Sequence, residues 1–208
     1  MRFVGITGGI GSGKSVVMEY LRTHTSCEIV YADDLAKELY APDTDLNHKL
    51  QETFSTENGF SKELFLEDGS INTPVFVKEL LSDENSRSTL NALVHPAVKE
   101  EVLHRVAEHR EKKDIDYFFL EAALLIEDGY KALCDELWYI YVTEDNRRAR
   151  LKASRGYTDE RIDEAFAMQL QEYEFLDACC VTIDNNGSPE STYEQIDRVL
   201  ELRKPRIL

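Results

Sequence analysis

The sequence has few of the residues that mark a disulfide-stapled or zinc-bound protein. Only four of its 208 residues are cysteine, and no two of them form Cys-x-x-Cys. Two of the four, Cys179 and Cys180, are adjacent, and adjacent cysteines bridge poorly, so we expect free thiols in a reducing compartment. No histidine stands at ligand spacing from a cysteine, which argues against a zinc site.

Long apolar runs are also missing. None approaches the ~20 residues that a membrane-spanning helix needs. The apolar stretch at the N-terminus, Phe3–Thr7, is too short for a signal peptide and leads directly into a glycine-rich loop. We therefore expect a cytoplasmic protein with no membrane partner.

Positive charge is scarce. The chain carries 24 lysines and arginines against 40 aspartates and glutamates, a formal net charge of −16. A surface this acidic repels nucleic acid, so the sequence predicts no nucleic-acid partner. We expect a small-molecule partner and a chain that acts as a monomer or weak homo-oligomer.

Five short apolar runs, separated by helical patterns, predict the strands of a parallel sheet. The runs are Phe3–Thr7, Glu28–Tyr31, Tyr117–Leu120, Leu137–Val142 and Val181–Ile183. The second and third runs lie too far apart for a single crossover helix. The fold class is therefore α/β, and residues of about 41–111 are predicted to form a helical insert.

The strongest local signal is the segment Gly8-Gly9-Ile10-Gly11-Ser12-Gly13-Lys14-Ser15, which fits G-x-x-x-x-G-K-[ST] between a strand and a helix. Its glycines let backbone N–H groups approach phosphate closely, and the helix that follows directs its positive end at the anion. Lys14 supplies a charge to the β- and γ-phosphates of ATP, and the Ser15 hydroxyl is a ligand for Mg²⁺. The remaining nucleotide-binding candidates are Gly9, Gly11, Ser12, Gly13 and Val16. The competing interpretation is a glycine turn that binds nothing.

The loop alone indicates a nucleotide but not a reaction. The sequence has no Asn-Lys-x-Asp, the guanine-reading motif of switch GTPases, and the run Tyr117–Leu120 ends in Glu121-Ala-Ala rather than in a motor-ATPase pattern. The small size and the helical insert favour a kinase that phosphorylates a small molecule.

Asp33 follows the second predicted strand and begins a helical pattern. Ligands of parallel sheets bind at the carboxyl ends of strands, so this carboxylate is a candidate to orient an acceptor hydroxyl and take its proton. A second interpretation, that Asp33 or Asp34 only caps the helix, is equally compatible with the spacing.

Five cations cluster on one predicted helix of this acidic chain: Arg147, Arg148, Arg150, Lys152 and Arg155. Arg147 and Arg150 share one face, and the other three share another. Such a run is often only a solvated surface. The alternative is a lid, hinged at Gly156, that brings an arginine to the transferring phosphoryl group.

Taken together, the motifs resemble those of the dephospho-CoA kinase family over nearly the whole chain. The matching segments are the loop Thr7–Ser15, Tyr31-Ala32-Asp33, Asp68–Asn72, Leu90–Pro96, Leu124–Glu127, Arg150–Ala153 and Ile183–Gly187. The resemblance implies a three-layer P-loop kinase fold with a five-stranded parallel sheet, a helical acceptor-binding insert and a helical lid. It implies one domain over 1–208, with a core of about 1–40, 112–142 and 176–208 and a lid of about 143–175.

The resemblance also implies a reaction, in which ATP and 3′-dephospho-CoA give ADP and CoA, with ATP and Mg²⁺ required. It implies that Asp33 is the base toward the ribose 3′-hydroxyl, that Arg150 stabilises the transferring phosphate, and that His95 and Glu127 lie in the acceptor site. His95 is as readily explained as a buried histidine that caps its own helix.

The sequence departs from the family pattern at three places. Tyr31 stands where the family has an acid, Ala123 replaces a proline, and the second lid arginine is shifted to Arg155. Two alternatives follow: a nucleoside monophosphate kinase, which would need arginines in the insert, and a nucleotide-binding protein without catalysis. The asparagines Asn185 and Asn186 either border the adenine or only form a turn.

Overall fold

Five strands form one sheet in the order β2-β3-β1-β4-β5. The computed structural model describes residues 1–203 of the chain. The strands are β1 (Arg2–Thr7), β2 (Cys27–Tyr31), β3 (Tyr117–Glu121), β4 (Glu136–Tyr141) and β5 (Val181–Asp184). All five predicted strands are present, and β1 pairs in parallel with β3 and β4, as does β4 with β5. The predicted α/β class with a parallel sheet is thus confirmed.

The central strands are apolar along almost their whole length because both faces of the sheet are covered. In β1 every residue after Arg2 is buried, and Phe3, Phe118 and Trp138 on the three central strands have no exposed surface. Val4 of β1 lies opposite Phe119 on one side and Glu136 on the other. This register brings the carboxyl ends of β1 and β3 to the same edge.

Nine helices lie within the described residues. They are α1 (Lys14–His24), α2 (Ala32–Leu39), α3 (Asp45–Thr53), α4 (Thr73–Phe76), α5 (Glu84–Lys112), α6 (Glu144–Arg155), α7 (Asp159–Ala167), α8 (Glu172–Ala178) and α9 (Pro189–Arg203). A π-helical turn, Val77–Leu81, follows α4, and single 3₁₀ turns span Thr56–Asn58 and Tyr130–Ala132. Across residues 1–203 none of the helices combines the length and the apolar character needed to cross a bilayer.

The chain divides into two compact units. The first joins Met1–Ile29 to the chain from Lys113 onward, and the second is Val30–Lys112. The second unit is built on α5, which buries one residue every fourth position. These buried residues are Leu90, Val94, Val98, Val102 and Val106. They form an apolar stripe against which α2 and α3 pack.

Helix ends follow the capping residues that the sequence offers. The Thr143 hydroxyl accepts a hydrogen bond from the Asn146 N–H at 3.4 Å and starts α6. Thr158 caps α7 in the same way, through Arg161 N–H. Gly156 ends α6 with a φ of 63°, a left-handed conformation that glycine adopts without strain. Residues 143–175, which the family resemblance predicts to form a lid, are called the lid segment below. Within this segment α6 and α7 both begin at a threonine cap.

Candidate functional site

Residues Gly8–Ser15, called the phosphate loop below, connect the end of β1 to the start of α1. The backbone turns through φ values of 81° at Gly11 and 82° at Gly13, which residues with a Cβ rarely adopt. Gly13 is the N-cap of α1, and the first turn of that helix has no acid that would compete with an anion. The loop therefore presents backbone N–H groups and a helix N-terminus on one side, which is the arrangement that binds phosphate.

Lys14 is held back against the loop. Its Nζ donates a hydrogen bond to the Gly8 carbonyl oxygen at 2.8 Å and lies 3.4 Å from Glu121 Oε1. Glu121 is the last residue of β3, next to β1 in the sheet. The Lys14 ammonium is thus largely shielded from water and held beside the loop, where water would screen its attraction to a bound anion only weakly.

Ser15 and Val16 follow Lys14 in the first turn of α1, and both are exposed. The Ser15 hydroxyl makes no side-chain hydrogen bond within residues 1–203, so it is available to an incoming ligand. No group of three or more histidine, cysteine, aspartate or glutamate side chains in the described part of the chain has the geometry of a metal site. Mg²⁺ bound with a nucleotide does not need one, because it keeps waters and takes only one or two protein oxygens.

A buried asparagine fixes the loop from the far side. Asn185 follows β5, and its Nδ2 donates to the Ser12 carbonyl at 2.7 Å while its Oδ1 accepts from the Thr192 hydroxyl at 2.8 Å. A Cβ on Gly13 would stand 2.5 Å from Asn185 Nδ2, so no larger residue fits there. Asn185 is therefore a loop brace, and its side chain is occupied by this role.

Arg150 of the lid segment contributes to the same brace. Its Nη2 donates to the Asn185 carbonyl at 2.6 Å, and its Nη1 lies 3.5 Å from the Ser12 carbonyl. The predicted phosphate-stabilising arginine thus stands beside the phosphate loop, with part of its guanidinium bound to backbone oxygens.

Arg147 lies one helical turn earlier, directly over Gly9. Its guanidinium carbon is 4.2 Å from the centre of the Phe166 ring, and its Nη1 is 3.3 Å from Gln169 Oε1. The same oxygen accepts the backbone N–H of Ile10 at 3.1 Å. A Cβ on Gly9 would collide with the guanidinium, so glycine is required for this close approach.

The second unit carries Asp33 in the first turn of α2. The N-cap of that helix is Tyr31, which makes no side-chain cap hydrogen bond. Asp34 pairs with Lys37 at 2.7 Å, whereas the exposed Asp33 has no hydrogen bond or ion pair within residues 1–203. The capping interpretation of Asp33 therefore has no support in its contacts.

Tyr40, at the end of α2, shares the environment of Asp33. Burial, and to a lesser degree the negative charge of Asp33, raises the pKa of Tyr40 to about 12. The phenol therefore stays protonated near neutral pH and can donate a hydrogen bond.

His95 and Glu127 lie on different units. His95 is half-buried in the middle of α5, followed by Pro96, which removes one backbone N–H from the helix. It is far from the start of that helix, where the Ser86 N–H donates to Asp83 at 2.7 Å, so His95 does not cap the N-terminus of α5. Glu127 is exposed in the turn after β3, in the first unit.

Three side chains at this site have little or no individual signal in the sequence. Glu121 is followed by two alanines, which does not fit a motor-ATPase pattern, yet its carboxylate reaches Lys14. Arg147 was one of several cations, and Gln169 carried no signal at all, because its role depends on a loop folding back over residues far away in sequence. The strand-end position of Glu121 was the one clue available.

Residues 2–191 match the model of the family described as dephospho-CoA kinase. The chain is 32% identical over 205 residues to the dephospho-CoA kinase of Geobacter sulfurreducens, covering 99% of this chain and 100% of that one. It is 32% identical over 198 residues to the enzyme of that name from Carboxydothermus hydrogenoformans, covering 95% and 92%.

Solved structures agree on the fold. A protein from Thermus thermophilus superposes with a TM-score of 0.75 at 24% identity, covering 98% of each chain. Dephospho-CoA kinase from Campylobacter jejuni gives 0.69 at 19% identity, covering 96% of this chain and 95% of that one. Shikimate kinase from Acinetobacter baumannii gives 0.53 at 10% identity, covering 99% of this chain and 96% of that one. At these identities the structures show a shared P-loop kinase fold.

Proposed function

The chain belongs to the dephospho-CoA kinase family, and from that premise we propose how its residues carry out the reaction. The enzyme is a phosphotransferase that uses ATP as its co-substrate and catalyses the final step of CoA synthesis. ATP and 3′-dephospho-CoA give ADP and CoA. The observation that carries the proposal is the phosphate loop, with Lys14 held between the Gly8 carbonyl and Glu121.

The phosphate loop and the first turn of α1 are proposed to bind the β- and γ-phosphates of ATP. The residues that the sequence predicts to contribute are Gly9, Gly11, Ser12, Gly13, Lys14, Ser15 and Val16. The ammonium of Lys14 follows the negative charge as it moves from the γ-phosphoryl group to the leaving ADP. Phosphoryl transfer requires little covalent chemistry from a protein, so this positioning and charge compensation supply most of the rate.

Asp33 is proposed to orient the ribose 3′-hydroxyl and accept its proton. The hydroxyl oxygen forms a bond to the γ-phosphorus, the bond from that phosphorus to the bridging β-oxygen breaks, and ADP leaves with the electron pair. The proton passes to the Asp33 carboxylate. The freedom of Asp33 from other side-chain partners, in contrast to Asp34, supports this role.

Arg150 is proposed to stabilise the transferring phosphoryl group with the guanidinium donors that the loop carbonyls leave unused. The Ser15 hydroxyl would hold the Mg²⁺ of the MgATP complex, which would neutralise phosphate charge when bound. Arg150 also fixes the loop, so its substitution should change nucleotide binding as well as turnover.

The acceptor is proposed to bind to the helical insert of about 41–111, with His95 and Glu127 among its contacts. The lid segment would close over ATP. These assignments follow the proposed division of one domain into a core, an insert and a lid. We further propose that the enzyme is cytoplasmic and acts as a monomer or weak homo-oligomer.

Comparing acceptors tests the function. Purified enzyme is incubated with ATP, Mg²⁺ and either dephospho-CoA or a nucleoside monophosphate, and ADP release is followed together with the mass of the product. We expect kcat/KM for dephospho-CoA to exceed that for any monophosphate by at least about 10³, because a site built for one acceptor's polar groups rejects others strongly. Faster turnover of a monophosphate would replace the proposal with the competing one.

One arginine of the insert is poorly suited to the competing kinase. A monophosphate acceptor needs arginines in the insert, and Arg105 there is bound to Glu101 and Glu38, both at 2.8 Å. A guanidinium already neutralised by two carboxylates is a poor clamp for a third anion.

A further inference from the structure

The phosphate loop is already occupied by a side chain of the same unit. Gln169 lies in the connection between α7 and α8, and its Oε1 accepts the Ile10 N–H at 3.1 Å. Ile10 is in the middle of the loop whose amides bind phosphate. An amide oxygen in this position makes the hydrogen bond that a phosphate oxygen would make, without the charge.

The same oxygen holds an arginine. Arg147 Nη1 is 3.3 Å from Gln169 Oε1, and the guanidinium lies over Gly9 and against the Phe166 ring. Its Nε is buried without a hydrogen-bond partner among the described residues. A buried guanidinium N–H that lacks an acceptor is costly, and an anion at the loop would remove that cost.

Three other cations of α6 contact neighbouring carboxylates or a ring, and the fourth, Arg150, is bound to the carbonyls of Ser12 and Asn185. Arg148 is shared among three carboxylates, those of Glu144, Asp159 and Asp163. Lys152 pairs with Asp159 at 2.7 Å, and Arg155 lies 6.0 Å from the Tyr157 ring centre. Within residues 1–203 the acceptor that Arg147 contacts is the neutral Gln169 oxygen, which a phosphate oxygen can replace at small cost.

We propose that Arg147 is a second catalytic arginine that binds the γ-phosphoryl group, and that Gln169 is a phosphate surrogate that holds Arg147 in place until ATP arrives. When ATP binds, its γ-phosphate oxygens take the Ile10 N–H and the Arg147 donors, and the Gln169 side chain moves away. A cavity of about 350 Å³ lined by Arg147, Phe166 and Gln169 provides the space for this movement. The inference rests on the proposed function for the identity of the transferred group, but its binding step does not depend on the acceptor.

Nucleotide binding tests the arginine without any acceptor. Binding of ADP and of the non-hydrolysable ATP analogue AMPPNP is measured by calorimetry with Mg²⁺. Arg147→Ala should weaken AMPPNP by about tenfold or more and ADP by less than about threefold, since a charged hydrogen bond to the γ-phosphate contributes ~1.5–3 kcal/mol. Arg148→Ala is the matched control, because the Arg148 side chain is next in sequence to Arg147 but is bound to carboxylates. In this variant the affinities for ADP and AMPPNP should both stay within about threefold of the parent's.

Turnover gives a second readout. With dephospho-CoA, Arg147→Ala should lower kcat by about 10²–10³, the usual cost of losing one donor to a transition-state oxygen. Equal weakening of ADP and AMPPNP, accompanied by a lower Tm, would show that Arg147 only supports the loop and would overturn the inference. An enzyme inactive toward dephospho-CoA but with the expected AMPPNP selectivity would instead reject the proposed acceptor and keep Arg147 in its role.

Two substitutions of Gln169 test the surrogate. Gln169→Glu places a charge on the Ile10 amide and pairs it with Arg147, so AMPPNP affinity should fall by at least about tenfold. Gln169→Ala empties that position, so AMPPNP affinity should be equal to or higher than the parent's. If Gln169→Ala weakens AMPPNP as much as Gln169→Glu does, Gln169 contacts the nucleotide and the exchange is wrong. Met168→Ala, at a neighbouring side chain that is 79% exposed, is the control.

Discussion

At the scale of single residues, Lys14 is a charge rather than a packing element. Its Nζ contacts the Gly8 carbonyl and Glu121, and no apolar core depends on it. Lys14→Ala should therefore lower kcat/KM by about 10²–10³, comparable to the loss of an oxyanion donor, while the Tm changes little. Steady-state kinetics and thermal melting check both, with Lys131→Ala as an exposed control. Unchanged turnover in Lys14→Ala would mean that the loop does not bind phosphate.

The two neighbouring carboxylates at the start of α2 have different roles. Asp34 is paired with Lys37 at 2.7 Å, whereas Asp33 has no such partner within residues 1–203. Asp33→Asn should lower kcat by about 10²–10⁴, the usual range for a general base. Asp34→Asn, the matched control, removes only an exposed ion pair and should leave kcat within about threefold. A loss below about tenfold in Asp33→Asn would reduce Asp33 to a structural residue.

A site residue can be predicted from the sequence when its role depends on its neighbours along the chain. The phosphate loop is recognisable from eight consecutive residues because its predicted role depends on its own backbone. Glu121 could not be assigned, since its role depends on the pairing of β3 beside β1. Gln169 could not be predicted from the sequence, because a single glutamine gives no indication of its role until the fold places it against Ile10.

At the scale of elements, the turn after β5 fixes the phosphate loop. Asn185 is buried, and its side chain joins the Ser12 carbonyl to Thr192. Asn185→Ala leaves both of these groups without their partner, so the free energy of unfolding should fall by about 2 kcal/mol and ATP affinity should fall with it. Denaturant unfolding and calorimetry measure the two quantities.

The neighbouring asparagine provides the control for this prediction. Asn186 Oδ1 accepts from the Thr143 N–H at 2.9 Å and from Asn146 Nδ2 at 2.9 Å, so it contacts α6 and its cap but not the loop. Asn186→Ala should change ATP affinity by less than Asn185→Ala does. Equal effects of the two variants would mean that Asn185 does not brace the loop specifically.

Ion pairs join α6 to α7 and make the lid segment sensitive to acid. Hydrogen bonds from Lys152 and then from Arg148 lower the pKa of Asp159 below its ordinary 3.8. Because the folded-state pKa is the lower one, the stabilisation is present above about 3.8 and is lost as the pH falls through the folded value. The Tm of the parent should fall as the pH is lowered below about 4, and that of Asp159→Asn should fall less. Parallel Tm curves between pH 3 and 6 would contradict this.

The elements themselves were largely predictable. The central strands β1 and β3 are nearly continuous apolar runs because both faces of the sheet are covered there, so each stands out from its polar flanks. The shorter edge strands β2 and β5 include polar residues and give a weaker signal. Thr143 and Thr158 marked helix starts because a cap acts within four residues. The π-helical turn Val77–Leu81 had no comparable local signal. It lies against α5, so its shape is set by tertiary packing.

At the scale of the whole molecule, the thiols report on the packing of the core. Burial raises the pKa of Cys134 and of Cys179 to about 12, from an ordinary 9.0, whereas Cys180 is exposed. The thiolate is the reactive form, so iodoacetamide at pH 8 should label Cys180 well before the other two. Mass spectrometry of timed samples measures the order. The Cys134 sulfur lies so close to Gly5 of β1 that a Cβ there would be 3.2 Å from it. Simultaneous labelling of Cys134 and Cys180 in the folded protein would contradict this packing.

The whole-molecule function was predictable because its motifs recur in order along nearly the whole chain, and the match to the dephospho-CoA kinase family over residues 2–191 confirms that assignment. The net charge of −16 contributed to the functional prediction only by arguing against a nucleic-acid partner. In such a protein the anionic substrates must be drawn by local groups, which explains why the cations cluster at the phosphate loop and on α6.

The most direct test of the account follows the phosphoryl group itself. The enzyme is mixed with Mg²⁺, dephospho-CoA and ATP that carries heavy oxygen in the non-bridging positions of its γ-phosphoryl group, and the label is traced by mass spectrometry of the fragmented product. The account predicts one labelled phosphoryl group on the ribose 3′-oxygen of CoA for each ADP formed. Label released as inorganic phosphate, or found on any other acceptor in preference to that oxygen, would contradict it.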